Sequence, residues 1–344
     1  MNVRDVLHVV DLHAGGEPLR VIVDGYPPIP GRTILERRAY LETHLDHLRK
    51  RLMWEPWGHE DMYGCLILPP ERDTSDFGLI FMHNAGYSTM CGHATIAVTR
   101  FLVETGRVPW DGQSPEVVIR YDVPSGEVTS HAVMEVNDGR VTSVWFENVP
   151  AWALALDETV SVGGRRITYD VGYGGAFYAL VEAGALGLRV EPAAVPELKE
   201  TARQIRDAIH ADHAQHAGHA LVHPLEPRIR GLYGVIFTEP PKDPRHQARH
   251  VTVFADREVD RSPCGSCVSA RMAVEHAHGR LPVGTAYAVE SVLDTVFTGE
   301  VLGEGPAVGQ HRTVRTRISG MAYLVGFRRF YVDPGDPLPP FLIR

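Results

Sequence analysis

Two short stretches carry side chains that could do chemistry together. The segment Asp260-Arg-Ser-Pro-Cys-Gly-Ser-Cys267 holds a Cys-Gly step at Cys264, and Met90-Cys-Gly-His93 repeats that step at Cys91, 173 positions upstream. Each step opens a run of small residues and helix formers, with an alanine six positions past the cysteine in both, Ala97 and Ala270. A cysteine at the start of a helix sits at the positive end of the helix dipole, which lowers its thiol pKa and makes thiolate available near neutral pH. The N–H groups that follow, left approachable by Gly92 and Gly265, form an anion site. Two such starts facing one another would hold one small carboxylate between two thiols.

Blander readings stand beside this one. Cys91 and Cys264 could be buried structural cysteines, since free cysteine is among the most buried residue types. Cys264-Gly-Ser-Cys267 alone reads as a C-x-x-C redox or zinc half-site, but no second close pair completes a zinc site and no βαβ context surrounds it. His93 is either a capping or core histidine or a member of the anion-binding turn, and its place inside that turn favours the second. Asp260 is a loop carboxylate, or, facing a zwitterion, the group that takes the ammonium. The comb His210, His213, His216, His219 and His223 has a spacing of three residues, then four, that drifts around a helix, and no acidic cluster accompanies it. It reads as a solvated face with adventitious metal affinity, so no metal site is expected. Gly172-Tyr-Gly-Gly175 lacks the trailing helix of a dinucleotide fingerprint and reads as backbone making room at a cleft.

The chain has 344 residues and a net charge of −9, with scattered Lys and Arg, which argues against a nucleic-acid groove. No apolar run reaches the roughly 18 residues of a membrane span. The N-terminus has no basic region followed by an apolar core, so a cytoplasmic protein is expected. Four cysteines, Cys65, Cys91, Cys264 and Cys267, make no secreted disulfide framework in a chain this long. Only three lysines occur, Lys50, Lys199 and Lys242, and none lies in a Gly-rich pocket sequence, which weakens a Schiff-base reading.

The elements that must position the two steps follow in order. Val6 to His13 reads as a strand turned back by Ala14-Gly-Gly into Val21–Val23. Thr33 caps an amphipathic helix to about Arg51, and strands follow at Cys65 to Leu68 and Phe77 to His83. The Cys91 helix stops near Gly106. Short strands fill Val117 to Phe146, broken by Pro124-Ser-Gly and by Asn137-Asp-Gly, a strong hairpin turn. Pro150 to Ala155 reads as a domain boundary. The second half has a Gly163-Gly164 hairpin, a helix from about Pro196 to His216, strands at Leu232 to Thr238 and His250 to Phe254, and the Cys264 helix ending at Gly279. Strands return at Ala286 to Val301 and Thr313 to Val325. The same order occurs twice, which predicts an α+β fold of two similar lobes with the site in the cleft between them. The expected lobes are residues 1–152, with a C-terminal return at 320–344, and residues 153–319.

The chain resembles the proline racemase family, which includes 4-hydroxyproline 2-epimerases and trans-3-hydroxy-L-proline dehydratases. The likeness covers Asp11 to Arg20, Leu52 to Gly64, His83 to His93, Tyr121 to Gly126 and Asp256 to Ala273. It implies the diaminopimelate-epimerase-like fold, each lobe a barrel-like sheet around a central helix, without cofactor and usually as a homodimer. It implies Cys91 and Cys264 as the acid/base pair, a carboxylate held by N–H groups near Gly92, His93, Gly265 and Ser266, and Asp260 and His93 on the ring-nitrogen side. Trp57 stands where the family usually has arginine, and Cys267 where it usually has glycine. The N-terminal half looks most like the dehydratases, which typically carry threonine at the position of Cys264. The second thiol is the racemase and epimerase pattern, so inversion at the α-carbon of proline or 4-hydroxyproline is expected, with dehydration of trans-3-hydroxy-L-proline as the alternative. A catalytically silent amino-acid-binding or thiol-redox protein is the remaining class, and the intact Cys91, Cys264 and Asp260 argue against it. Should Cys267 pair with Cys264 on oxidation, it would switch the site off; the simpler reading is that it fills a small space behind the turn.

Overall fold

The computed structural model describes residues 6–215, 221–331, 333 and 335–343, with the backbone alone for 213–215. The chain divides into two compact units. Unit 1 comprises Met1–Thr89, His93–Val144 and Met321–Arg344, and unit 2 comprises Met90–Gly92 and Trp145–Gly320.

In unit 1 the strands Val6–Ala14 and Glu17–Asp24 form a hairpin whose turn places Gly15 and Gly16 at positive φ. Ala322–Tyr331 pairs antiparallel with Val6–Ala14, so the C-terminal stretch joins the N-terminal strand. From Glu17–Asp24 the chain crosses over to a parallel neighbour, Tyr63–Leu68, which turns antiparallel into Phe77–His83. A second crossover gives Glu116–Val123, parallel to Phe77–His83, and then antiparallel Gly126–Glu135. Parallel neighbours need a long crossover connection, and here both are helical. The first is the expected helix: Thr33 caps it, accepting from the Glu36 N–H, while the Glu36 carboxylate reaches back to the Thr33 backbone. It runs Ile34–Tyr40 and Asp46–Met53 with one π turn, Leu41–Leu45, between them. The second connection is the Cys91 helix, Gly92–Glu104.

Unit 2 repeats this series of pairings. Arg165–Tyr173 turns antiparallel into Phe177–Glu182, which lies parallel to Leu232–Glu239 across the helix Val195–Gln215. Leu232–Glu239 turns antiparallel into Ala248–Phe254, and that strand lies parallel to Ala286–Glu290 across the Cys264 helix, Gly265–Ala277. Val296–Glu304 then pairs antiparallel. The strands expected from Thr313 to Val325 are Val314–Gly320 and Ala322–Tyr331, and they fall in different units. Of the histidine comb, His216 and His219 lie outside the described residues, as does the His213 side chain. His210 is no free ligand, because its Nε2 accepts the Leu232 N–H at 2.9 Å.

Candidate active site

Both Cys-Gly steps belong to unit 2. Their glycines touch: a Cβ built on Gly92 would lie 2.5 Å from the Gly265 Cα, and one built on Gly265 would lie 2.8 Å from the Gly92 Cα and 3.0 Å from the Phe146 ring. No residue larger than glycine fits at either position without moving backbone. The close approach therefore explains the glycines more directly than access for an anion does. Cys91 and Cys264, each one residue before its helix, are 4% and 9% exposed.

The turn before the second helix is held by a relay of polar groups. Asp260 Oδ1 accepts the Ser262 N–H at 2.8 Å and the Ser262 hydroxyl at 2.7 Å, and Ser262 Oγ accepts the Cys264 N–H at 3.0 Å. His250 Nε2–H donates to the Pro263 carbonyl, and His250 Nδ1 lies 3.5 Å from Arg271 Nη1. Burial first, then the Arg271 charge, pulls the His250 pKa down to about 3, which keeps the ring neutral. These supports hold Cys264 at φ 55°, a left-handed conformation that costs a non-glycine residue on the order of 1–3 kcal/mol. Strain of this kind persists only where the surroundings impose it.

The expectation of a lowered thiol pKa is overturned at Cys264. Burial raises it well above the usual thiol range, and the adjoining Cys267 thiol and the Asp260 carboxylate raise it further, while the Ser266 hydroxyl at 3.4 Å pulls the other way. Burial therefore keeps Cys264 a neutral thiol. Cys267 is fully buried with Cys264, Tyr178, Ile236 and Ala270 in one apolar cluster, with Tyr233 packed on its edge. The Tyr178 hydroxyl meets Ser266 Oγ at 2.8 Å.

Asp260 and Ser266 thus stand in one buried hydrogen-bonded turn with Cys264 and Gly265. His93 belongs to unit 1, where its ring packs edge-on against Tyr63 at 4.8 Å and Tyr63 meets the Ser88 hydroxyl at 2.5 Å. Trp57, the departure in unit 1, gives its carbonyl to buried Arg20 at 2.8 Å and lies under the Arg51 guanidinium at 4.5 Å. Gly172 and Gly174 do not make room at a cleft. They let a strand press on the Cys264 helix, a built Cβ standing 2.7 Å from the Ala270 carbonyl oxygen at Gly172 and 2.2 Å from that of Ser266 at Gly174. Sequence reasoning missed Ser262, His250 and Tyr178. Only Ser262 had a signal, its place inside the Asp260 to Cys264 motif.

Comparison with known proteins decides the family. The family described as proline racemase matches residues 9–340. The chain belongs to the proline racemase family. Two relatives cover 98% of both chains: a trans-3-hydroxy-L-proline dehydratase of Bacillus thuringiensis subsp. konkukian at 42% identity, and a 4-hydroxyproline 2-epimerase of Streptosporangium roseum at 40%. A hydroxyproline epimerase from Agrobacterium vitis, solved with bound trans-4-hydroxy-L-proline, superposes with a TM-score of 0.90 at 30% identity, covering 100% of this chain and 97% of that one. The mixed α+β architecture is the one these family members share, and the chain is an enzyme of a family whose members are epimerases or dehydratases.

Proposed function

We propose that the protein inverts the α-carbon of proline or 4-hydroxyproline by proton transfer between two cysteines, without a cofactor. The observation that carries this is the second thiol, Cys264, beside a Gly265 that abuts the Gly92 following Cys91. The α-proton of an amino acid is very weakly acidic, and a thiolate can remove it only if the developing charge on the carboxylate meets preorganised donors. The N–H groups at Gly92, His93, Gly265 and Ser266 are assigned that task, and Asp260, with His93, takes the ring nitrogen. One cysteine, as thiolate, takes the proton from one face; the other, as thiol, returns a proton to the opposite face, and the pair then stands in the reverse protonation. The raised pKa of Cys264 suits the donor half of the cycle.

Dehydration of trans-3-hydroxy-L-proline is the second reading, favoured by the 42% identical relative of that name. Elimination needs one base for the α-proton and one acid for the departing hydroxide. A cytoplasmic homodimer completes the proposal. The strand Ala322–Tyr331, which carries exposed Tyr323, Leu324, Val325, Phe327 and Tyr331, supports a second copy as its cover. Incubation with L-proline, trans-4-hydroxy-L-proline and trans-3-hydroxy-L-proline, followed by polarimetry, mass and ketoacid formation together, separates the readings. Inversion without mass change in water supports the first, and loss of water with ketoacid the second.

A further inference from the structure

A cavity of about 450 Å³ lies beside the C-terminal half of the Cys264 helix, walled by Trp152, Ala273, His276 and Ala277, with Glu304 and Arg312 also lining it. Ala273 is nine residues beyond Cys264, roughly 13 Å along a helix, so the cavity is separate from the Cys-Gly steps. Trp152 is 1% exposed, stacked on Tyr173 at 4.0 Å and on His311 at 5.4 Å. Its indole N–H finds no hydrogen-bond acceptor among the described residues. With essentially no accessible surface, that N–H does not face the cavity, so Trp152 serves there as wall. Arg312 and Glu304 are exposed, and among the described residues neither has an ion-pair or hydrogen-bonding side-chain partner. His276 Nδ1 donates to the Leu281 carbonyl at 2.8 Å, which leaves Nε2 as an acceptor.

We propose that this cavity binds a small zwitterionic amino acid at a second site, distinct from the cysteines. Its carboxylate takes the Arg312 guanidinium, its ammonium takes Glu304 and His276 Nε2, and its apolar body lies on Ala273 and Ala277. A simple anion would meet Glu304 and a simple cation would meet Arg312, whereas opposite unpaired charges beside an apolar wall fit a molecule carrying both. The volume falls in the range of small-molecule sites.

The test is calorimetric titration of L-proline into the wild type and into Asp260→Asn, Arg312→Gln and Glu304→Gln, each checked for folding by thermal melting. Two binding events are expected. One persists in Asp260→Asn and weakens at least tenfold in both Arg312→Gln and Glu304→Gln; the other responds only to Asp260→Asn. Arg312 and Glu304 are both at the surface, so neither variant disturbs the fold. A single event that ignores Arg312→Gln overturns the second site and leaves the cysteine reading standing. Loss of the Asp260-dependent event alone would count against the cysteine reading and not against the cavity.

Discussion

At the scale of single residues, the turn that presents Cys264 depends on a histidine that must stay neutral. The His250 pKa is depressed to about 3 in the folded chain against about 6.5 unfolded, so between those values the unfolded state binds more protons and stability falls as pH falls. Denaturant titrations between pH 7 and pH 4 should show that fall, and His250→Gln should remove up to one proton from its slope, at most ~1.4 kcal/mol per pH unit. An unchanged slope would place the acid sensitivity elsewhere. Cys267 lies fully buried in the apolar cluster, which supports the space-filling reading over the disulfide switch. Activity measured against a glutathione redox buffer should therefore respond alike in wild type and Cys267→Gly, whereas a variant insensitive to mild oxidant beside a sensitive wild type would establish a disulfide switch. The cysteines, their glycines and Asp260 were legible because they sit in two short repeated motifs. His250 was not, since its partner is the Pro263 carbonyl, and a backbone acceptor leaves no mark on the sequence pattern.

At the scale of elements, glycine sets how closely backbones approach. Gly92→Ala would drive a methyl to 2.5 Å from the Gly265 Cα, and Gly174→Ala would drive one to 2.2 Å from the Ser266 carbonyl oxygen, both against backbone that cannot rotate away. Each should cost about 1–3 kcal/mol in unfolding free energy and lower turnover more than tenfold, because the displaced atoms are the helix starts themselves. Variants with wild-type stability and turnover would show that the close approach does no work. The helices were largely legible, since capping at Thr33 and the small-residue runs after the cysteines are local signals. The π turn at Leu41–Leu45 was not, because the apolar spacing on either side continues through it. Nor was the break at Met321, where one apolar run supplies strands to two different units.

At the scale of the whole molecule, the repeated order of strands in the sequence corresponds to a repeated series of pairings, antiparallel, parallel, antiparallel, parallel, antiparallel, in each unit. Which strands lie parallel could not be read from the chain, since parallel pairing joins residues far apart in sequence and depends on crossover geometry. The proposed homodimer predicts a mass near twice 38.1 kDa by light scattering at micromolar concentration, and Phe327→Asp should shift it toward a single chain; a wild-type mass of one chain would refute the dimer. The central claim, two cysteines exchanging protons across one α-carbon, is tested most directly by running the reaction from trans-4-hydroxy-L-proline in D2O with wild type, Cys91→Ser and Cys264→Ser. The inverted product of the wild type should carry one solvent deuterium at Cα, and each variant should invert at least ~1000-fold more slowly, because a serine hydroxyl is far too weak an acid to supply the base or its partner at neutral pH. Substantial inversion by Cys264→Ser, or inverted product without deuterium, would contradict the account.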